Sequence, residues 1–273
     1  MCVLAFAWRM HPHWPLVLAG NRDELHARPA AALARWPEAP HVLGGRDLKS
    51  GGTWLGVSER RRLAVVTNLR GYGSPDDARP SRGRLVQDFL TGVGDFATFS
   101  QTDLDLFNPL NLIGVEGEAA FFCSNRPASA IRPLDPGLYG LSNGDLDAPW
   151  PKTQRLKAAL GAWLTAGADD MEPVFEALAD GSRPADKDLP STGLDLERER
   201  LVSPVFIQDP RYGTRCSTVV RVDANGRGEI AERRFDPEGR PAGETAMTFA
   251  WTAEPNLVVE RQRLSRKAAS GPT

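Results

Sequence analysis

Proline and glycine recur along the whole chain, 22 and 26 of them in 273 residues, and they leave few stretches long enough for an uninterrupted helix. Proline removes a backbone donor and clashes with the preceding helical turn, so this spacing favours short strands and tight turns over a helical bundle. The apolar runs between these breaks read as hairpins. Cys2–Trp8 predicts a strand and residues 16–20 a second. Met10-His11-Pro12-His13-Trp14-Pro15 makes the turn between them, because neither proline can donate to a ladder. Residues 53–57 and 63–67 predict another hairpin around a charged turn, and residues 111–115 and 119–123 a third. Residues 217–222 and 229–235 flank Ala224-Asn225-Gly226, where Asn-Gly supplies the positive φ of a two-residue turn. Residues 245–252 predict a last strand.

Three helices are expected. Ser81 caps a segment running to about Leu90, with Leu85, Val86 and Phe89 on one face. Pro151 opens a second over residues 151–163, where Leu156, Ala159, Leu160 and Trp163 recur at three- and four-residue steps. Residues 171–178 form a third, and the polar, proline-bearing residues 181–196 read as a surface loop. Antiparallel hairpins with segregated helices give an α+β protein. Nothing resembling a linker divides it, so residues 1–260 are expected to form one domain and residues 261–273 a frayed tail.

Charge and cysteine content narrow the function classes. Lys and Arg number 33 against 35 Asp and Glu, a net charge of −2, so there is no basic excess to bind nucleic acid or an anionic membrane. The first apolar run is too short to span a bilayer and lacks the flanks of a secretion signal. A cytoplasmic protein without stable membrane insertion is therefore expected. Cys2, Cys123 and Cys216 cannot all pair, and none lies in a C-x-x-C, which disfavours a disulfide scaffold and a structural zinc site. There is no His-Glu-x-x-His, and Gly44-Gly45-Arg46 and Gly51-Gly52-Thr53 lack the lysine of a phosphate loop. No metal site and no required cofactor follow from the residues.

The second residue carries the chemistry. A small residue after the initiator normally permits removal of Met1, which would leave Cys2 as the mature N-terminus. A free α-amine titrates near about pH 8, so it can take the proton of its own thiol, as in nucleophiles activated by a terminal amine. A nearby cation would lower the thiol pKa. If the first hairpin closes with Trp8 opposite Leu16, partner numbers sum to 24, and Cys2 falls opposite Arg22 with Asn21 and Asp23 on either side. Asp23 could then hydrogen-bond the α-ammonium or hold Arg22 in a bidentate pair.

These residues resemble a known family. Met1-Cys2 followed by Asn21-Arg22-Asp23-Glu24 resembles the NRDE family, that of the transport-and-Golgi-organisation type 2 proteins. Further blocks fit in order: Gly51-Gly52-Thr53-Trp54-Leu55-Gly56, Thr67-Asn68-Leu69-Arg70, Leu141-Ser142-Asn143-Gly144, Pro149-Trp150-Pro151-Lys152 and Tyr212-Gly213-Thr214-Arg215-Cys216-Ser217-Thr218. Cys216 departs from the pattern, where the family more commonly has serine. The resemblance implies an N-terminal-nucleophile hydrolase fold, a four-layer αββα sandwich, similar to the cysteine amidases that act on bile salts and penicillin V. It implies Cys2, Arg22, Asp23, Asn143 and Arg215 as catalytic residues, with Asn143 in the oxyanion hole. Asn21, Asn68 and Trp54 are expected substrate contacts.

Two functions follow as expectations. The first is hydrolysis of a small-molecule linear amide, ester or thioester through an acyl group on Cys2. The second, implied by the same resemblance, is a non-enzymatic carrier of haem, lipid or acyl-CoA, with haem as cargo. His11 and His13 in the first turn are the candidate axial ligands.

Overall fold

In the computed structural model, residues 2–251 are described. In chain order the strands are β1 (Cys2–Trp8), β2 (Leu16–Leu25), β3 (Ala30–Trp36), β4 (Ala39–Asp47), β5 (Leu55–Ser58) and β6 (Arg62–Asn68). Helix α1 (Arg82–Thr91) precedes β7 (Leu110–Glu116), β8 (Ala119–Ser124), β9 (Ala130–Leu134) and β10 (Gly137–Leu141). Helices α2 (Pro151–Ala166), α3 (Glu172–Leu178) and α4 (Leu196–Leu201) lead to β11 (Tyr212–Val222), β12 (Arg227–Phe235) and β13 (Pro241–Ala250).

The strands form two antiparallel sheets, ordered β10-β1-β2-β11-β12-β13 and β3-β4-β5-β6-β7-β8-β9. Side chains alternate across a strand, so each sheet offers two apolar faces. Leu4, Phe6, Leu16 and Leu18 meet Leu43, Leu63, Val65 and Ile113 between the sheets. The other face of the first sheet, with Val3, Ala5, Val17 and Ala19, packs on Leu156, Leu160 and Trp163 of α2 and on Phe175 of α3. The other face of the second sheet, with Val42, Ala64 and Val66, packs on Leu85, Val86 and Phe89 of α1. Three apolar cores thus separate four layers in the order α, β, β, α, which is the architecture the family resemblance implies.

The first hairpin has the expected register: Trp8 faces Leu16 and Cys2 faces Arg22. Strand β2 runs further than residues 16–20, to Leu25, because β11 pairs along its other side as far as Tyr212–Leu25. The Asn-Arg-Asp-Glu segment is therefore strand. Ser81 caps α1, its side chain accepting from the Gly83 N–H. Strands β3, β4, β9 and β10 were not expected. Ala30–Trp36 is alanine-rich, β9 contains Pro133 and lies at a sheet edge, and β10 is two-fifths glycine. Helix α4 begins at the end of the predicted loop. Met1, Thr252 and the tail assigned to residues 261–273 lie outside the described residues. Among the described residues no helix is long and apolar enough to cross a membrane.

Candidate active site

Strands β1 and β2 lie inside the first sheet, and the start of one meets the far part of the other at Cys2 and Arg22. Period-two alternation then divides the Asn-Arg-Asp-Glu segment. Arg22 points between the sheets on the same face as Cys2 and Leu4, whereas Asn21 and Asp23 point toward the helical layer. Because β1 begins at this end, Asp23 also reaches the space beside the thiol. Cys2, Arg22, Asp23, Glu24, Trp54 and Asn68 line one cavity of 390 Å³, together with residues of the β6–α1 connection from Pro75 to Ser81 and with Arg82 and Gly83 of α1.

Arg22 is 5% exposed. Its guanidinium lies 4.3 Å from the Trp54 ring centroid and its Nη2 is 3.6 Å from Asp47. Its Nη1 is buried and has no hydrogen-bond partner among the described residues. Asp23 Oδ1 accepts from Thr214 Oγ1 at 2.7 Å, and its carbonyl accepts from the Tyr212 hydroxyl at 3.0 Å. Burial pushes the Asp23 pKa up, opposed by the charges of Lys152 and Arg70 and by the Thr214 hydrogen bond. Burial likewise pushes the Cys2 thiol up, and the Asp23 charge adds to this. The Asp23 backbone N–H and the Arg22 charge pull it down by less. Arg22 thus pulls the thiol pKa down as expected, but burial outweighs it and the net direction is up.

Several expected site residues have other duties. Asn21 donates through Nδ2 to the carbonyls of Leu178 and Val205 at 2.8 and 2.9 Å and accepts from Ser217 Oγ at 2.7 Å. Its hydrogen-bonding capacity is committed to tying β2 to the helical layer, so it is not placed for substrate. Asn143 is fully buried, and its Nδ2 donates to the Asn68 carbonyl at 2.8 Å. It does not line the cavity, and the amide that does is that of Asn68. Arg215 does not line it either. It is the extra residue where the β11–β2 register shifts between Thr214 and Cys216. Its Nη1 donates to the carbonyls of Leu25, His26 and Arg28 at 2.9, 3.1 and 3.0 Å, clasping the turn after β2. Trp54 is in the cavity wall as expected, with its face taken by Arg22.

Lys152 follows Pro151 at the start of α2, where the sequence alone marks no function for it. It is 3% exposed, and Nζ donates to the Val202 carbonyl at 2.9 Å. Burial lowers its pKa from 10.5 to about 8, and the negative charges of Asp23 and Cys2 act against that fall. Tyr212 and Thr214 were likewise visible only as members of a block. Of the other thiols, burial pushes Cys123 up to about 12 and Cys216 well above its ordinary range. His11 and His13 sit at the other end of β1, about 20 Å from Cys2 at ~3.3 Å per residue. His11 Nδ1 accepts from the Trp14 N–H at 3.2 Å. His11 also lines a second, open groove of 630 Å³ with Trp8, Met10 and Trp251.

A family model described as Transport and Golgi organisation 2 matches residues 1–237. The chain belongs to this family. The Mus musculus Transport and Golgi organization 2 homolog is 32% identical over 93% of this chain and 100% of its own length. The Homo sapiens homolog is 33% identical over the same shares, and the Drosophila melanogaster protein 29% identical over 88% and 95%. The match to the family model includes β1 to β12 and every residue of the Cys2 cavity. Among solved structures, a Caenorhabditis elegans N-acylethanolamine-hydrolyzing acid amidase ortholog gives a TM-score of 0.43 at 16% identity, covering 80% of this chain and 92% of that one. A mutant conjugated bile acid hydrolase from Clostridium perfringens gives 0.45 at 10%, covering 94% and 100%. The layer order stands on the three cores described above, independently of these distant likenesses.

Proposed function

We propose that this member of the Transport and Golgi organisation 2 family is a hydrolase that cleaves a small-molecule amide, ester or thioester through an acyl group carried on Cys2. The observation that supports it is the meeting of Cys2, Arg22 and Asp23 in the wall of one polar cavity. On this reading Met1 is removed and the new α-amine of Cys2 takes the proton of the thiol. The raised thiol pKa makes such a base necessary. The sulfur attacks the substrate carbonyl carbon, and the Asn68 amide, aligned by Asn143, donates to the oxygen as it gains charge. The ammonium returns its proton to the leaving group as the bond breaks, which leaves a thioester. Water, deprotonated by the same amine, attacks the thioester, releases the carboxylic acid and restores the thiol. Asp23 receives the α-ammonium, and Lys152 and Thr214 pull the pKa of that carboxyl down against the burial that raises it.

Intact-mass measurement of the purified protein is expected to show loss of Met1. A thiol-reactive probe near pH 7 is expected to label Cys2 ahead of Cys123 and Cys216, with Cys2→Ala abolishing the labelling. Retention of Met1 in the native protein would remove the base and with it this mechanism.

A further inference from the structure

The first turn of α1 breaks a rule of helix electrostatics. Backbone N–H groups give a helix N-terminus a positive potential that carboxylates stabilise, yet this turn holds no acidic residue and carries Arg82 and Arg84. Arg84 is neutralised by Asp95 at 3.2 Å and Asp88 at 3.8 Å. Arg82 is not. Among the described residues it donates one hydrogen bond, from Nη1 to the Pro109 carbonyl at 2.9 Å, and forms no ion pair. It lines the same cavity as Cys2. Burial lowers its pKa, and the negative groups acting on it are Cys2 and Glu24.

None of the carboxylates around the cavity pairs with Arg82. Asp47 pairs with Arg28 at 2.7 Å, and Glu24 lies 3.8 Å from the same guanidinium. Asp76 sits 3.7 Å from Arg79, and Asp77 is exposed on the rim. Backbone geometry fixes Arg82 in place. The Thr53 N–H donates to the Gly83 carbonyl at 3.1 Å, and a Cβ on Gly52, at φ +77°, would fall 2.3 Å from that oxygen. The Gly51-Gly52-Thr53-Trp54 turn thus presses the start of α1 against the cavity, next to the Trp54 that carries Arg22.

We propose that Arg82 docks an anionic group of the substrate, a carboxylate or a phosphate, beside the bond that Cys2 attacks. A guanidinium presents paired donors that match two oxygens of either group, and the α1 terminus adds its own positive potential. This deepens the hydrolase reading by giving the substrate a charge, and its test does not depend on turnover.

The test compares two alkylating reagents of similar size, iodoacetate (anionic) and iodoacetamide (neutral), at Cys2 and at free cysteine. Any change in the thiol pKa alters both rates alike and cancels in their ratio. The iodoacetate-to-iodoacetamide ratio at Cys2 is expected to exceed that of free cysteine by about tenfold, within the range by which a charged cleft concentrates counter-ions. It is expected to collapse toward the free-cysteine value in Arg82→Gln and to recover in Arg82→Lys. In the unsubstituted protein at constant ionic strength, inorganic phosphate or acetate is expected to protect Cys2, and whichever protects at lower concentration names the group. A ratio equal to that of free cysteine, with no protection by either anion, overturns the proposal. A ratio that Arg82→Gln leaves high overturns it as well. If the ratio behaves as expected while no ester or amide is turned over, the anion site stands and the hydrolase reading falls.

Discussion

Replacing Lys152 by methionine keeps the length of the side chain and removes its charge. Lys152 is 3% exposed and its pKa falls from 10.5 to about 8, chiefly through burial. The sign follows from proton counting. The unfolded chain holds the lysine proton up to about its ordinary pKa, whereas the folded chain releases it sooner. Folding is therefore penalised in full below pH 8, and the penalty fades as pH rises from 8 toward 10.5. A fall of that size corresponds to about 3 kcal/mol at pH 7, at roughly 1.4 kcal/mol per pKa unit, and to about 1 kcal/mol by pH 10. Methionine abolishes this term but strands the Val202 carbonyl, which costs roughly 1–3 kcal/mol at all pH values. The informative quantity is thus the stability difference between the two proteins as a function of pH. Urea unfolding at pH 7 and pH 10 is expected to show Lys152→Met losing about 2 kcal/mol relative to the unsubstituted protein across that interval. A difference that stays flat between those pH values would refute the claim that Lys152 is held against its charge, and with it the pull of Lys152 on the Asp23 pKa.

Two substitutions probe how the cavity is framed. Gly52→Ala places a Cβ 2.3 Å from the Gly83 carbonyl at a left-handed φ of +77°. It is expected to cost roughly 1–3 kcal/mol in chemical unfolding and, in the folded protein, to lower the iodoacetate preference of Cys2, because the start of α1 must retreat; an unchanged preference would detach the turn from the site. Asn143→Ala removes the donor that holds the Asn68 carbonyl. It is expected to cost about 1–3 kcal/mol of stability and to slow deacylation of a labelled thioester while Cys2 alkylation proceeds at its former rate; a loss of alkylation in folded protein would place Asn143 at the nucleophile itself.

The juxtaposition of Cys2 and Arg22 was readable in advance because two constraints coincide in the first hairpin. Pro12 and Pro15 locate the turn, and an antiparallel ladder then fixes every partner by arithmetic. Helices α1 and α2 were readable because Ser81 and Pro151 mark their starts and their apolar residues keep helical spacing. The same logic fails where no local periodicity exists. Ala30–Trp36 becomes an edge strand only because β4 offers it a partner, a tertiary effect that an alanine-rich string does not announce. Arg215 shows a second kind of failure. Simple alternation would aim it at one face of the sheet, but it is the unpaired residue of a bulge, and bulges re-aim side chains. Its guanidinium therefore reaches the turn after β2 and not the cavity.

Lys152 and Arg82 were invisible for a different reason. A cation in the first turn of a helix reads as a solvated surface residue, and a slightly unfavourable one. Its meaning depends on which layer the helix occupies and where that layer ends. Helix α2 covers the first sheet and α1 covers the second, so the two lie on opposite outer faces of the sandwich. The charges of both Lys152 and Arg82 nevertheless interact with Cys2. Two helix starts, each carrying a cation that helix chemistry disfavours, thus approach one thiol from opposite layers. Burial opposes a charge on that sulfur at rest. If Cys2 attacks a carbonyl as proposed, the converging positive groups favour the negative charge that develops there, whether on sulfur, on a carbonyl oxygen or on a substrate anion. On the hydrolase reading proposed above, burial disfavours charge on the sulfur beforehand, and these cations stabilise the charge that a base creates there.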